Sequence, residues 1–124
     1  MTEEMDAKAH TPTDTYRANI QKVQDELVSI GGLEEDTKHT IKNVAGAAIE
    51  AIDNIKKCNT IDALDGLLSV ENRSMLLKSG NYNRRELDAF GRIQLSKQLH
   101  DIVLWTRNAI IYELHNTCEC KDRA

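Results

Sequence analysis

Residues 99–114 read LHDIVLWTRNAIIYEL, and this stretch decides the fold class. Leu99, Ile102, Val103, Leu104, Trp105, Ala109, Ile110, Ile111, Tyr112 and Leu114 leave almost no polar side on a helix, the pattern of a segment buried all round. Back toward the N-terminus no proline interrupts the chain as far as Asn83, and Gly91 is the one glycine on the way. Asn83 with Glu86 three residues on forms a capping box, so a helix is predicted from Asn83 to about His115. Unbroken, it would run for roughly 50 Å. A compact chain of 124 residues has a radius of gyration of about 14 Å. Either the helix breaks near Gly91, or its end is covered by another copy of the chain.

The partner of this helix is at the other end of the sequence. Thr11-Pro12-Thr13-Asp14 is a helix start, with Thr11 as N-cap, Pro12 at the first helical position and Asp14 near the positive end. Tyr16, Ile20, Val23, Leu27 and Ile30 follow at spacings of 4, 3, 4 and 3, a heptad stripe, and Gly31-Gly32 closes the helix. A second periodic run is Ile41, Val44, Ala45, Ala48, Ile49, Ile52 and Ile55, capped by Asp36 or Thr37, with Lys56-Lys57 at its negative end. Its small residues Ala45, Gly46, Ala47, Ala48 and Ala51 permit a close helix–helix approach, within the chain or between copies. Asn59-Thr60 opens a short helix from Ile61 to about Leu68, and Ser69 caps another that ends before Gly80. No alternating run is flanked by turn signals, so no strand is predicted. The fold class is all-α: an antiparallel helical hairpin of the first and last helices, with an inserted helical segment at 31–80, in an oligomeric bundle. Residues 1–10 are expected to be a flexible N-terminus, 11–116 a single helical domain and 117–124 a C-terminal tail.

Composition excludes several function classes. The net charge of −4 and pI of about 5.5 run against non-specific nucleic-acid binding, which needs a basic surface. Aromatic residues make up 4 %, so the core must come from Leu, Ile, Val and Ala, which suits helices. No apolar run reaches 18 residues, and the acidic Met-Thr-Glu-Glu-Met-Asp start is unlike a secretory signal. The expectation is a cytoplasmic protein with no membrane span. Three cysteines is an odd number from which no disulfide framework follows, and reduced thiols are expected.

His115, Cys118 and Cys120, with Cys58 as a fourth group, are of zinc-ligating type, but the spacing differs from the usual paired-cysteine gap and no metal is assigned. No cysteine has a base placed beside it by periodicity, and His10, His39 and His100 lie on different elements, so no enzyme is expected. Arg84, Arg85 and Arg92 fall in the first turns of the last predicted helix, where backbone N–H groups and guanidinium forks suit a phosphate. Lys22 on the first helix is a further cation for the same region. The other reading of these residues is surface charge balancing Glu86 and Asp88.

Two stretches together resemble a known family. His10-Thr11-Pro12-Thr13 leads into the first helix, and Arg92 is followed by Leu99, Asp101, Val103, Trp105, Ala109 and Ile110. This is similar to the phage-encoded sponge proteins of the anti-CBASS and anti-Thoeris helical-hairpin family, which disarm bacterial nucleotide signalling. The similar segments cover about forty residues, a third of the chain, and only the His-x-Pro, the Arg92-to-Trp105 spacing and the tryptophan are specific. The resemblance implies a non-enzymatic oligomer, without cofactor, that sequesters a cyclic nucleotide or cyclic ADP-ribose-like messenger between subunits. It implies contacts from His10, Thr13, Lys22, Gln24, Arg84 and Arg92, with Tyr16 and Tyr82 as stacking surfaces and Trp105 in the core. The chain departs from the family in three ways: Ala9 stands where an aromatic precedes the His-x-Pro, Gln24 stands where a basic residue is usual, and about fifty residues from Gly31 to Gly80 are extra. The alternative is a small acidic helical inhibitor that occludes a protein partner. A third reading is a purely structural oligomer.

Overall fold

The computed structural model describes residues 11–79 and 87–118. These residues form four helices and no strand: α1 Pro12–Val28, α2 Glu35–Lys56, α3 Thr60–Ser79 and α4 Ala89–Glu113, with a π-helical turn Leu114–Cys118. The fold is all-α, as predicted.

The start of α1 follows from its own sequence. The Thr11 hydroxyl accepts from the Asp14 amide at 3.2 Å, and the Asp14 carboxylate accepts from the Thr11 amide at 3.4 Å. This reciprocal box meets two of the amides that a helix start leaves without partners. Ile20, Val23 and Leu27 of the heptad stripe are buried, and Tyr16 and Ile30 pack half-buried against the core. The chain then turns through Gly32, whose φ of 95° suits glycine.

Three predicted boundaries are corrected. The N-cap of α2 is Glu34, not Asp36 or Thr37. Glu35 and Asp36 occupy its first turn, favourable for the macrodipole, and Thr37 is buried inside the helix. The two short helices expected between Ile61 and Gly80 are one, α3. Ser69 caps nothing there; its hydroxyl accepts from Arg73 Nε on the side of an unbroken helix. The last helix begins at Ala89 with Asp88 as N-cap, its carboxylate accepting from the Gly91 amide at 2.8 Å, while Asn83 and Glu86 lie outside the described residues. Of the two alternatives for an overlong helix, a start beside Gly91 is the one observed. At 25 residues α4 is about 37 Å long.

Packing is set by which residues are small. Gly66 of α3 sits against α2: a Cβ there would lie 2.8 Å from Ala51 Cβ, so the two backbones approach too closely for a methyl group. The alanine face of α2 therefore packs within the chain. α1 and α4 are antiparallel neighbours. The Thr13 hydroxyl donates to Glu113 at one end, and Gln98 donates to Glu26 at 2.7 Å toward the other. α2 and α3 pack beside this pair, with α2 and α4 in contact and α1 and α3 on opposite corners. Ile20, Leu27, Ile41, Ile52, Leu95, Leu99 and Ile102 are fully buried in one core, and Ile55, Ala63, Ile110 and Cys118 form a smaller cluster at one end.

Two further expectations change. α4 is not apolar all round: its buried stripe includes Leu95, Leu99, Ile102, Thr106, Ala109 and Ile110, while Leu104 and Ile111 face outward. The thiols of Cys58 and Cys118 are joined in a disulfide. Cys58 has φ 61°, which turns the chain from α2 toward α3, and Cys118 is buried at the end of the π-helical turn. The bond closes a loop with a sequence separation of 60, which in the chain-entropy picture contributes about 4 kcal/mol.

Candidate functional site

One end of the bundle gathers most of the polar chemistry. It holds the start of α1, the ends of α2 and α4, and the start of α3. Glu113 is buried there, and its carboxylate accepts from the hydroxyls of Thr13 and Thr117, the latter at 2.8 Å. Lys56 of α2 donates to Asp14 of α1 at 3.0 Å, and the Arg17 guanidinium meets the Asp53 carboxylate at 3.1 and 3.4 Å. The hydrogen bond from Lys56 is the main reason the Asp14 carboxyl is held below the usual carboxylate range; burial opposes it, and the Thr11 amide adds to it. These contacts tie α1 to α2 and α4. They are built to hold helix ends together, and none leaves an open donor set beside a nucleophile.

The residues implied as ligand contacts are spread over the bundle. His10 and Arg84 lie outside the described residues, as does Tyr82. Thr13 is fully buried, with its hydroxyl spent on Glu113. The pairs Thr13–Glu113 and Glu26–Gln98 set the α1–α4 register, which puts Lys22 level with about Val103. Arg92 is eleven residues further along α4, roughly 16 Å away along the axis. Lys22 is exposed, and Gln24 is half-buried. Arg92 is exposed, and its guanidinium donates to the Leu87 carbonyl at 2.9 Å, just ahead of α4. Within one chain, then, Thr13, Lys22, Gln24 and Arg92 do not share a pocket. Tyr16 and Trp105 both pack half-buried on the core.

Two surface grooves are more concave. One, of about 460 Å³, runs between α2 and α3 and is lined by Lys42, Asn43, Gly46, Ala47, Glu50 and Arg73. The other, of about 340 Å³, lies between α3 and α4 and includes Glu71, Ser74, Met75, Lys78, His100 and Val103. The Ser74 hydroxyl, buried beneath it, has no hydrogen-bond partner among the described residues. No group of three His, Cys, Asp or Glu close enough to hold a metal occurs among the described residues, and the sulfur of Cys118 is engaged with Cys58.

The outer side of α3 and α4 carries features the sequence reading passed over. Ile61, Leu64, Leu68 and Met75 of α3, with Leu104 and Ile111 of α4, are 37–76 % exposed. The spacing of the α3 residues, 3, 4 and 7, is heptad-like, with the charged Glu71 at the position between Leu68 and Met75. It was hidden by splitting the helix at Ser69. Glu113 was missed because its partner Thr13 lies 100 residues away. No family model, curated protein or solved structure matches this chain.

Proposed function

We propose that this chain is a non-enzymatic binding protein that works by sequestration, as an assembly of copies. The observation that carries the reading is that the bundle is filled inside and unfinished outside. Its core residues are fully buried, while large apolar side chains remain on the outer face of α3 and α4. Capture by such a molecule takes place on its faces, between molecules. The exposed cations Lys22 and Arg92 are too far apart to clamp one small ligand from a single chain, so each would share a ligand with a neighbouring copy, Arg92 through the donors it does not give to the Leu87 carbonyl. The class of ligand comes from the resemblance: a cyclic nucleotide or cyclic ADP-ribose-like messenger, its phosphates met by arginine and lysine. Starving an effector of such a messenger takes nanomolar affinity, about −12 kcal/mol. The setting that goes with this role is the host cytoplasm of a phage-encoded protein.

A ligand that binds only the native state raises the melting temperature by mass action. A panel of cyclic nucleotides and cyclic ADP-ribose analogues is expected to include one that raises Tm. Arg92→Ala is expected to abolish the shift while leaving the unliganded Tm within a few degrees of the original. A flat response to the whole panel overturns the messenger reading. The second reading then takes its place: a small acidic helical inhibitor that occludes a protein partner. The net charge of −4 and the exposed α3–α4 stripe favour it.

A further inference from the structure

We infer that the groove between α2 and α3 is a binding site for a nucleoside monophosphate, a ligand with a phosphate at one end and N–H donors at the other. The site goes beyond the proposed sequestration: it lies within one chain and uses neither Lys22 nor Arg92. Its walls are set by the closest contact of the two helices. Gly66 of α3 lies against Ala51 of α2, where a Cβ would come within 2.8 Å of the Ala51 Cβ. Arg73 is seven residues further along α3, and Val44 is seven residues back along α2. The antiparallel pair therefore brings Arg73 level with about Val44, and Arg73 shares the groove with Lys42, Asn43, Gly46, Ala47 and Glu50 of α2. The groove has a volume of about 460 Å³, within the range of about 300–1,000 Å³ usual for small-molecule sites.

The floor of the groove is Gly46. Glycine weakens a helix interior, and neither of the usual structural reasons for one applies here. Its φ is not positive, and a Cβ on it would meet nothing within 4 Å. The missing side chain leaves bare backbone, over which a flat ligand can lie close. The charges are sorted along this floor. Lys42 is two residues from the level of Arg73, with Asn43 between, so one end offers an ammonium, a carboxamide and a guanidinium. Arg73 Nε donates to Ser69 Oγ at 3.0 Å, which steadies the guanidinium and leaves its two terminal nitrogens without an acceptor among the described residues. Phosphate oxygens match this set. Glu50 is six residues beyond the level of Arg73, roughly 9 Å along the axis. Among the described residues Lys42 and Glu50 are in no ion pair, with each other or with any other group. Glu71 lines the groove on the other side of α3, so Glu50 is the one carboxylate lining this groove among the described residues. An ionised carboxylate only accepts hydrogen bonds. A ligand that fits therefore ends in phosphate at Lys42 and Arg73 and in N–H donors at Glu50, with an uncharged, flat middle over Gly46 and Ala47. Guanine, whose ring N–H stands beside an exocyclic amine, presents two donors on one edge to such a carboxylate.

Isothermal titration calorimetry of the full chain with GMP, guanosine and inorganic phosphate tests this. GMP is expected to bind once per chain, with a dissociation constant on the order of 0.1 mM, and more tightly than either fragment. Lys42→Ala and Arg73→Ala are each expected to weaken GMP about tenfold, and to weaken phosphate as well. Glu50→Gln is expected to weaken GMP but not phosphate. Gly46→Leu fills the floor at an exposed position, and is expected to abolish GMP binding while Tm stays level or rises, which separates lost binding from lost fold. Arg107→Ala removes an exposed cation of α4, off this groove, and is expected to leave GMP binding unchanged. Absence of GMP binding at millimolar concentration overturns the inference. So does GMP binding that survives Gly46→Leu or Lys42→Ala, because the site is then elsewhere. GMP held no more tightly than phosphate also overturns it, because the groove is then a cation cluster that meets any anion. None of these results bears on the messenger reading, which nanomolar binders in the melting panel judge separately.

Discussion

Asp14 serves two partners at once, and its protonation state therefore governs how α1 is held. Its carboxylate closes the capping box with Thr11 and accepts from Lys56 across to α2. Both interactions favour the ionised form, so the folded pKa lies below the ordinary value of 3.8. For a carboxyl with a depressed folded pKa, the stabilisation is fully present above the unfolded pKa. It is lost as pH falls through the folded one. Thr11→Ala is expected to cost about 1 kcal/mol, or roughly 4 °C in Tm. Lys56→Ala should lower Tm slightly near neutral pH, and that difference from wild type should vanish in acid once Asp14 is protonated. A thermal melt series of both proteins against pH checks it; a gap that persists below the folded pKa would show that Lys56 acts through something other than Asp14. At this scale the sequence was informative where partners are neighbours. Thr11, Pro12 and Asp14 lie within four residues, and their geometry is the predicted one. The burial of Glu113 depends on α1 folding back across the whole chain, and no local signal announces it.

The helices are fixed by their contacts as much as by their own sequences. Gly66 reads as a helix breaker, yet α3 runs through it because Ala51 of α2 occupies the space a side chain would need. Gly46, in contrast, lies on the exposed side of α2, with nothing within 4 Å of the place its Cβ would take. The two positions make opposite predictions for the same change. Gly46→Ala is expected to stabilise by about 0.5–1 kcal/mol through helix propensity and a less free unfolded chain. Gly66→Ala carries the same local gain but must push α2 and α3 apart, and is expected to destabilise by about 1–3 kcal/mol. Urea denaturation of both variants checks the pair; equal effects would mean that α2 and α3 are further apart than described. The apolar periodicities of α1, α2 and α4 were legible before the structure. Their ends were less so: Glu34 caps α2 without a side-chain hydrogen bond, Ser69 is of capping type yet lies inside α3, and Asp88 is as good a cap by type as Asn83. Dividing α3 at Ser69 also concealed its outward heptad.

At the scale of the molecule, the described residues form a four-helix bundle, pinned at one end by Cys58–Cys118, with its core filled and large apolar side chains on its exterior. The sequence made the hairpin of α1 and α4 legible, since two long apolar stripes must cover one another. It did not reveal the disulfide: Cys58 and Cys118 meet through the packing of the end of α4 and its π-helical turn against Ile55 and Ala63. Nor did it show that the implied contacts Thr13, Lys22 and Arg92 would be spread along the bundle, because register between helices is a property of packing. The large apolar side chains exposed on the outer face of α3 and α4 are what the proposed assembly of copies rests on. Native mass spectrometry of the protein purified from cells tests this most directly, because it counts subunits and weighs anything they retain in one spectrum. The account predicts a multiple of the 14.0 kDa chain mass, with added mass of a small phosphate-bearing molecule where the messenger was present in the cells. A bare 14.0 kDa species at every concentration, carrying nothing, would contradict it.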